Sequence, residues 1–348
     1  MAYTTINKST DYFNTKLYTG NASTNAITGV GFQPDLVWCK DRSAGNNHIF
    51  HDAVRGVNYQ IYADLGNAQT NAGGYLSAFG TDGFTLGSDG AINASGNNYA
   101  SWNWKAGTTG SGTTTGSGTG KAYSYSVNTT SGFSIVKYLG NGSAGHTIPH
   151  HLGAVPKAIW VKRIDAVNNW TVYNVGLGNT HAVYLDTGDG KVDSNAFWND
   201  VTPTSSVFTL GDGASVNNSS GTYIAYCFTD IPGYSSFGYY QGNGATSIGA
   251  GTYIYTGFKP TFIMLKRTNS SEDWQMWDSK RLGYNKDNNS FKPHSSDAEV
   301  TTDTIMLYSN GFSPITGGGQ INTDGHDYIY WAFGQSLVGS NNVPCTAR

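Results

Sequence analysis

Charge is scarce in this chain. Only 12% of its 348 residues are Asp, Glu, Lys or Arg, and the glutamates number two, Glu272 and Glu299. So few Lys and Glu leave little material for a helical protein. The formal net charge is −3, with no block of like charges. The electrostatic footprint of a nucleic-acid or anionic-membrane binder is therefore missing. No apolar run reaches transmembrane length, and Met1-Ala2-Tyr3-Thr4 opens into polar sequence, so neither a membrane span nor a secretion signal is expected. The expectation is a soluble product of the cytoplasm. Cysteine is sparse too: Cys39, Cys227 and Cys345 are odd in number, which speaks against a disulfide framework and for isolated thiols.

What is plentiful is glycine, at 46 residues, and aromatic side chains, at 14%. Together with Asn, Thr and Ser this is the composition of a β-protein with many turns. The chain also repeats itself. Tyr18-Thr19-Gly20-Asn21 returns as Tyr138-Leu139-Gly140-Asn141 and as Tyr240-Gln241-Gly242-Asn243. Each copy is followed by a proline (Pro34, Pro156, Pro260), a basic residue (Lys40, Lys162, Lys266) and an aromatic strand starting at Tyr99, Tyr223 or Tyr328. Phe84-Thr85-Leu86-Gly87 and Phe208-Thr209-Leu210-Gly211 correspond to a degraded Phe312-Ser313-Pro314. A period near ~100 residues is too long for a solenoid, so each copy is expected to be a domain.

The spacing Pro34 to Pro156 exceeds Pro156 to Pro260 by 18 residues, an excess that falls on the Gly/Ser/Thr run Thr108 to Gly120. Without an apolar side chain, this run reads as a flexible linker. The expected organisation is a first repeat over 1–106, a linker over 107–120, a second repeat over 121–230, a third over 231–339 and a tail over 340–348. The run after each proline is apolar on both faces, as in a buried central strand. The closing strand alternates, with Trp102 and Trp104, Tyr226 and Phe228, or Trp331 and Phe333 on one side. The pattern predicts an all-β fold of three tandem antiparallel β-sandwich repeats, jelly-roll or lectin-like, in which those rings fill the sandwich cores.

Chemistry-bearing constellations are thin. His48 and His51 would point to opposite faces of a strand, and His146, His150 and His151 straddle Pro149, so hydrogen-bonded or exposed histidines are expected rather than metal ligands. Asp186, Asp189 and Asp193 lack the spacing of a calcium loop. No Gly-x-Ser-x-Gly elbow occurs, Glu272 and Asp273 are adjacent on a turn rather than facing across a groove, and Gly317-Gly318-Gly319 is not followed by a lysine. The reading is a non-enzyme without metal or cofactor. Trp198, Phe197, Tyr75 and Phe291 fall where the repeats agree least, and are the candidates for ligand contact, with packing as the alternative.

Gly31-Phe32-Gln33-Pro34-Asp35-Leu36-Val37-Trp38, Ile148-Pro149-His150-His151-Leu152-Gly153, Trp198-Asn199-Asp200 and Gly257-Phe258-Lys259-Pro260 resemble motifs of a repeated module in structural proteins of tailed bacteriophages, notably marine phages of cyanobacteria. The likeness runs from Tyr12 to Ser336 and departs at Phe312-Ser313-Pro314. It implies a virion protein made in the host cytoplasm, a tail appendage or tail fibre that contacts the host surface, with capsid decoration or a connector as the alternative. Its implied partners are other virion proteins and a host-surface glycan or protein. By the same analogy, it implies a homotrimer. Linked repeats would add avidity to such adsorption.

Overall fold

In the computed structural model, residues 4–281, 285, 288–301 and 304–338 are described, and Cys345 and the tail 340–348 lie outside them. The fold is all-β with several antiparallel sheets. Each block builds its large sheet on the same four neighbours. In the first block these are the opening strand Phe13–Thr19, closing strand Asn98–Trp104, central strand Leu36–Asp41 and fourth strand Ile49–Asp52. The second uses Phe133–Leu139, Thr222–Phe228, Ala158–Arg163 and Thr171–Asn174, and the third Ser235–Gln241, Asp327–Gln335, Lys259–Arg267 and Gln275–Asp278. The central strand starts after its proline in the first two blocks. In the third, Pro260 sits inside the strand at a register shift, where its missing N–H interrupts little.

A small sheet lies over one face of each large one. Its core strands are Asn25–Thr28 with Gly83–Leu86, His146–Pro149 with Val207–Leu210, and Ile254–Tyr255 with Gly311–Pro314. Ile27 faces Phe84, Ile148 faces Phe208, and Ile254 faces Phe312, so the degraded third motif keeps its register. Between the two layers of each block lies a private apolar cluster, containing Val37 and Cys39, Ile159 and Val161, or Ile263 and Leu265.

The other face of the large sheets corrects an expectation. The closing-strand rings are buried, but they do not fill three sandwich cores. Trp102, Trp104, Tyr226, Phe228, Trp331 and Phe333 belong to one cluster that draws on all three blocks. At its centre the equivalent rings of Trp104, Phe228 and Phe333 meet each other, with centroids 5.8, 6.0 and 6.5 Å apart. Towards the private clusters the closing strands present a mixture of small residues, such as Ala225 and Ala332, and tyrosines, such as Tyr223 and Tyr328.

The Gly/Ser/Thr run is likewise no flexible linker. Thr108–Thr113 pairs along its length with Ala122–Asn128, and Thr115–Gly116 pairs with His146–Pro149, widening the second block to an eight-stranded sheet. Backbone hydrogen bonding holds it, and the glycines let aromatic rings cover the strand. A Cβ at Gly110 would stand 2.6 Å from the Tyr125 hydroxyl, and one at Gly112 2.8 Å from that of Tyr123. Counting apolar side chains missed a strand whose cover comes from its neighbour.

Candidate functional site

Three strongly perturbed cationic groups stand where blocks meet. Each recurrent lysine is buried and ends in a cage of backbone carbonyls. Lys162 Nζ donates to Gly66 O of the first block at 2.9 Å, Lys266 Nζ to Gly188 O of the second at 3.1 Å, and Lys40 Nζ to Ser296 O of the third at 3.1 Å. The order is cyclic, so the third block closes back on the first. Burial pulls all three ammonium groups down to about 8. A second ring of contacts repeats the pattern: Tyr226 Oη donates to Asp52 at 2.7 Å, Asn174 Nδ2 to Tyr330 O at 3.4 Å, and Trp102 Nε1 to Asp278 at 3.1 Å. Asp278 also accepts from Arg281 at 2.6 Å, and Asp52 is paired with Arg55, whereas the second block replaces the pair by Asn174 and Leu177. Loss of the acid is matched by loss of the base, as burial of either alone requires.

These groups therefore join modules. The histidines behave similarly. His146 bonds Asn217 at 2.9 Å and Thr114 at 2.6 Å, His150 bonds Thr204 O at 3.1 Å, and His151 stacks on Tyr125 at 3.7 Å. Desolvation lowers His51 to about 3 and His150 to about 4, and pushes His48 well down. Half-buried Asp186 accepts from the Trp170 amide at 2.9 Å, as buried Asp64 does from the His48 amide at 3.0 Å, and desolvation raises both carboxyls to about 6. Among the described residues no group of three His, Cys, Asp or Glu is placed to hold a metal ion.

Of the residues picked for ligand contact, Trp198, Phe197 and Phe291 are buried, and Tyr75 is half-buried against the first block's private cluster. The short helix Asn195–Trp198, capped by Ser194, presses Trp198 onto Tyr173 with centroids 5.7 Å apart, and its Nε1 donates to His181 O. Phe291 lies under the Arg281 guanidinium at 4.3 Å and beside His48 and Trp102, in the joint between third and first blocks. Ligand contact by Trp198 and Phe197 is corrected to packing, while Phe291, packed on one side, also borders a cavity. Variable sequence marked them because each block fills the space beside its fourth strand differently, and a filler is as variable as a ligand contact.

That same space yields a cavity in the third block. His51, Tyr173 and Trp277 occupy one register position, opposite Val37, Ile159 and Ile263. Tyr75 comes to 6.0 Å from His51, and Trp198 covers Tyr173. Beside Trp277 there is instead a cavity of about 220 Å³ whose wall includes Gln275, Trp277, Phe291, Asp297, Thr304 and Gln320. Trp277 is buried, and among the described residues neither its indole N–H nor the Thr304 hydroxyl has a hydrogen-bond partner. At the rim Lys292 is held by Asp273 at 2.8 Å, leaving the Asp297 carboxylate 3.9 Å away and exposed. Sequence reading passed over Trp277 as one more strand ring. Among the described residues the third block has no helix like Asn195–Trp198 to deliver a covering ring.

Exposed apolar side chains also gather in the third block, with Tyr239, Ile248, Tyr253 and Tyr255 the largest of them there. Among the described residues no helix is long and apolar enough to cross a membrane. No curated protein and no solved structure matches the chain. One family model, described as a domain of unknown function (DUF7483), matches residues 8–336 as a single unit. All three blocks thus fall inside one match, and the chain belongs to the DUF7483 family.

Proposed function

We propose that this chain is a non-enzymatic structural protein of a tailed-phage particle, built from three copies of one two-sheet module and carried on a tail appendage, where it contacts the host surface. The observation that carries the reading is a division of labour between the blocks. Recurrent residues such as the caged lysines and closing-strand rings are consumed in joining the modules, while the third block alone adds exposed Tyr239, Tyr253 and Tyr255 and a cavity at its fourth strand. A rigid scaffold with one differentiated block suits recognition. The motif resemblance described above supports the virion assignment.

A second reading rests on the cyclic joints: a closed ring of three like modules also suits seating on a symmetric neighbour, as a capsid decoration or connector would require. Gold-labelled antibody against this protein, applied to intact particles, separates the two. Label on tail or tip is expected. Label on the head alone transfers the chain to decoration, and unlabelled particles with the chain absent from their protein content overturn the virion reading.

A further inference from the structure

We propose that the Trp277 cavity binds one ring of a neutral sugar. This deepens the host-contact reading and rests on it for its biological sense, though the site is argued from its own walls. A volume of about 220 Å³ lies below the roughly 300–1,000 Å³ of pockets for drug-sized ligands, so the occupant is a single ring-sized unit. The walls decide its polarity. Trp277 and Phe291 contribute aromatic surface, Gln275 and Gln320 contribute amides, and Thr304 a hydroxyl. An apolar occupant would leave the Trp277 N–H and Thr304 hydroxyl as unpaired as they stand, at a cost of about 1–3 kcal/mol each.

Charge excludes the other classes. A small anion would face the exposed Asp297 carboxylate and find Lys292 already paired with Asp273, while a bare cation would find, among the described residues, a single carboxylate in the wall, too few charged ligands to replace its water. A sugar fits both demands: its hydroxyls donate and accept at once, reaching an indole N–H as acceptors and a carboxylate or amide oxygen as donors, and its C–H face lies on an aromatic ring. The comparison between blocks supports a built site. At the same register the other two modules place a ring of their own against His51 and Tyr173, whereas among the described residues no ring covers Trp277.

The test uses the whole chain, titrated with glucose, galactose, mannose and N-acetylglucosamine and followed by saturation-transfer NMR. At least one of the four is expected to bind saturably, with a dissociation constant on the order of 1 mM. Trp277→Phe keeps an aromatic ring and removes the N–H, and should weaken that sugar about three- to tenfold. Asp297→Asn, at an exposed rim position, should weaken it without changing the melting temperature, and so serves even where Trp277→Phe disturbs folding. No transfer from any of the four, or affinity unchanged in both variants, overturns the site. Tail labelling without sugar binding removes this site and leaves host contact standing; sugar binding with label on the head alone does the reverse.

Discussion

Three tyrosine pairs explain the most conspicuous repeat in the chain. Tyr18 stacks on Tyr99, Tyr138 on Tyr223 and Tyr240 on Tyr328, with centroids 5.0, 5.1 and 5.0 Å apart. The glycine two residues on must stay bare, since a Cβ at Gly20, Gly140 or Gly242 would lie 2.1, 2.3 or 2.3 Å from a backbone carbonyl oxygen. The next residue's amide, at Asn21, Asn141 or Asn243, donates to the buried Asn93, Asn217 or Asn322 at 3.0, 2.9 or 3.1 Å. Tyr-x-Gly-Asn is thus a structural clasp. The central rings carry a sharper prediction. Trp104→Ala should cost about 3–5 kcal/mol by opening a void among all three blocks. Because the Trp104 indole N–H is buried without a partner, Trp104→Phe loses no hydrogen bond and should cost less than about 1.5 kcal/mol, both read by chemical denaturation.

Buried histidines also fix the response to acid. The folded-state values of His48, His51 and His150 lie below the ordinary histidine value, so the unfolded chain binds more protons between roughly pH 4 and 6.5, and stability falls as pH drops through that window. Asp64 and Asp186, raised to about 6, act oppositely: their penalty is relieved on acidification. His146, His151 and His294 are lowered in the same sense and Asp35 and Asp230 are raised, so six histidines oppose four carboxyls and net loss of stability from pH 7 to pH 5 is expected. Melting curves across that range check it, and a His51→Gln variant that folds should show a shallower slope.

At the scale of elements, the Gly/Ser/Thr run is the informative case. Paired on one side to Ala122–Asn128 and capped by the rings of Tyr123 and Tyr125, Thr108–Thr113 should resist limited proteolysis that would sever a flexible linker. Peptide mapping after short trypsin-free digestion, for example with a broad-specificity protease, should recover no cut between Thr108 and Gly116. Replacing Tyr123 and Tyr125 by Ser strips the aromatic cover and should make the segment cleavable. The short helix Asn195–Trp198 is of the same kind, a local element whose purpose is to deliver one ring to Tyr173.

The whole molecule is a closed arrangement. Joints run from second to first, third to second and first to third block, and the last of these adds Arg42 to Glu299 at 2.7 Å beside Trp102 to Asp278. With the central cluster shared, removal of any block uncovers the inner faces of the other two. Thermal unfolding should therefore show one transition, and a fragment ending near residue 230 should fail to fold and should expose apolar surface to a hydrophobic dye. Asp278→Ala removes the acceptor of Trp102 across the closing joint and the nearest carboxylate of Arg281, which keeps Met276 O and Glu299, and should destabilise by about 1.5–3 kcal/mol in the same denaturation experiment.

Period-two alternation, prolines and turn residues were enough, by themselves, to determine the central and closing strands of each block and the burial of Trp104, Phe228 and Phe333, because each of these follows from neighbours along the chain. They could not tell which partner a buried face meets: a stripe of rings looks the same whether it packs inside one module or among three. Only the tertiary structure decided that Trp104, Phe228 and Phe333 touch each other, that the lysines reach carbonyls one block away, and that a glycine-rich run becomes a strand under tyrosines from its neighbour. The cavity belongs to the same class. Trp277 was legible as a strand residue, but a cavity is defined by what fails to fill it, and the rings that cover His51 and Tyr173 arrive from segments 24 and 25 residues farther along the chain.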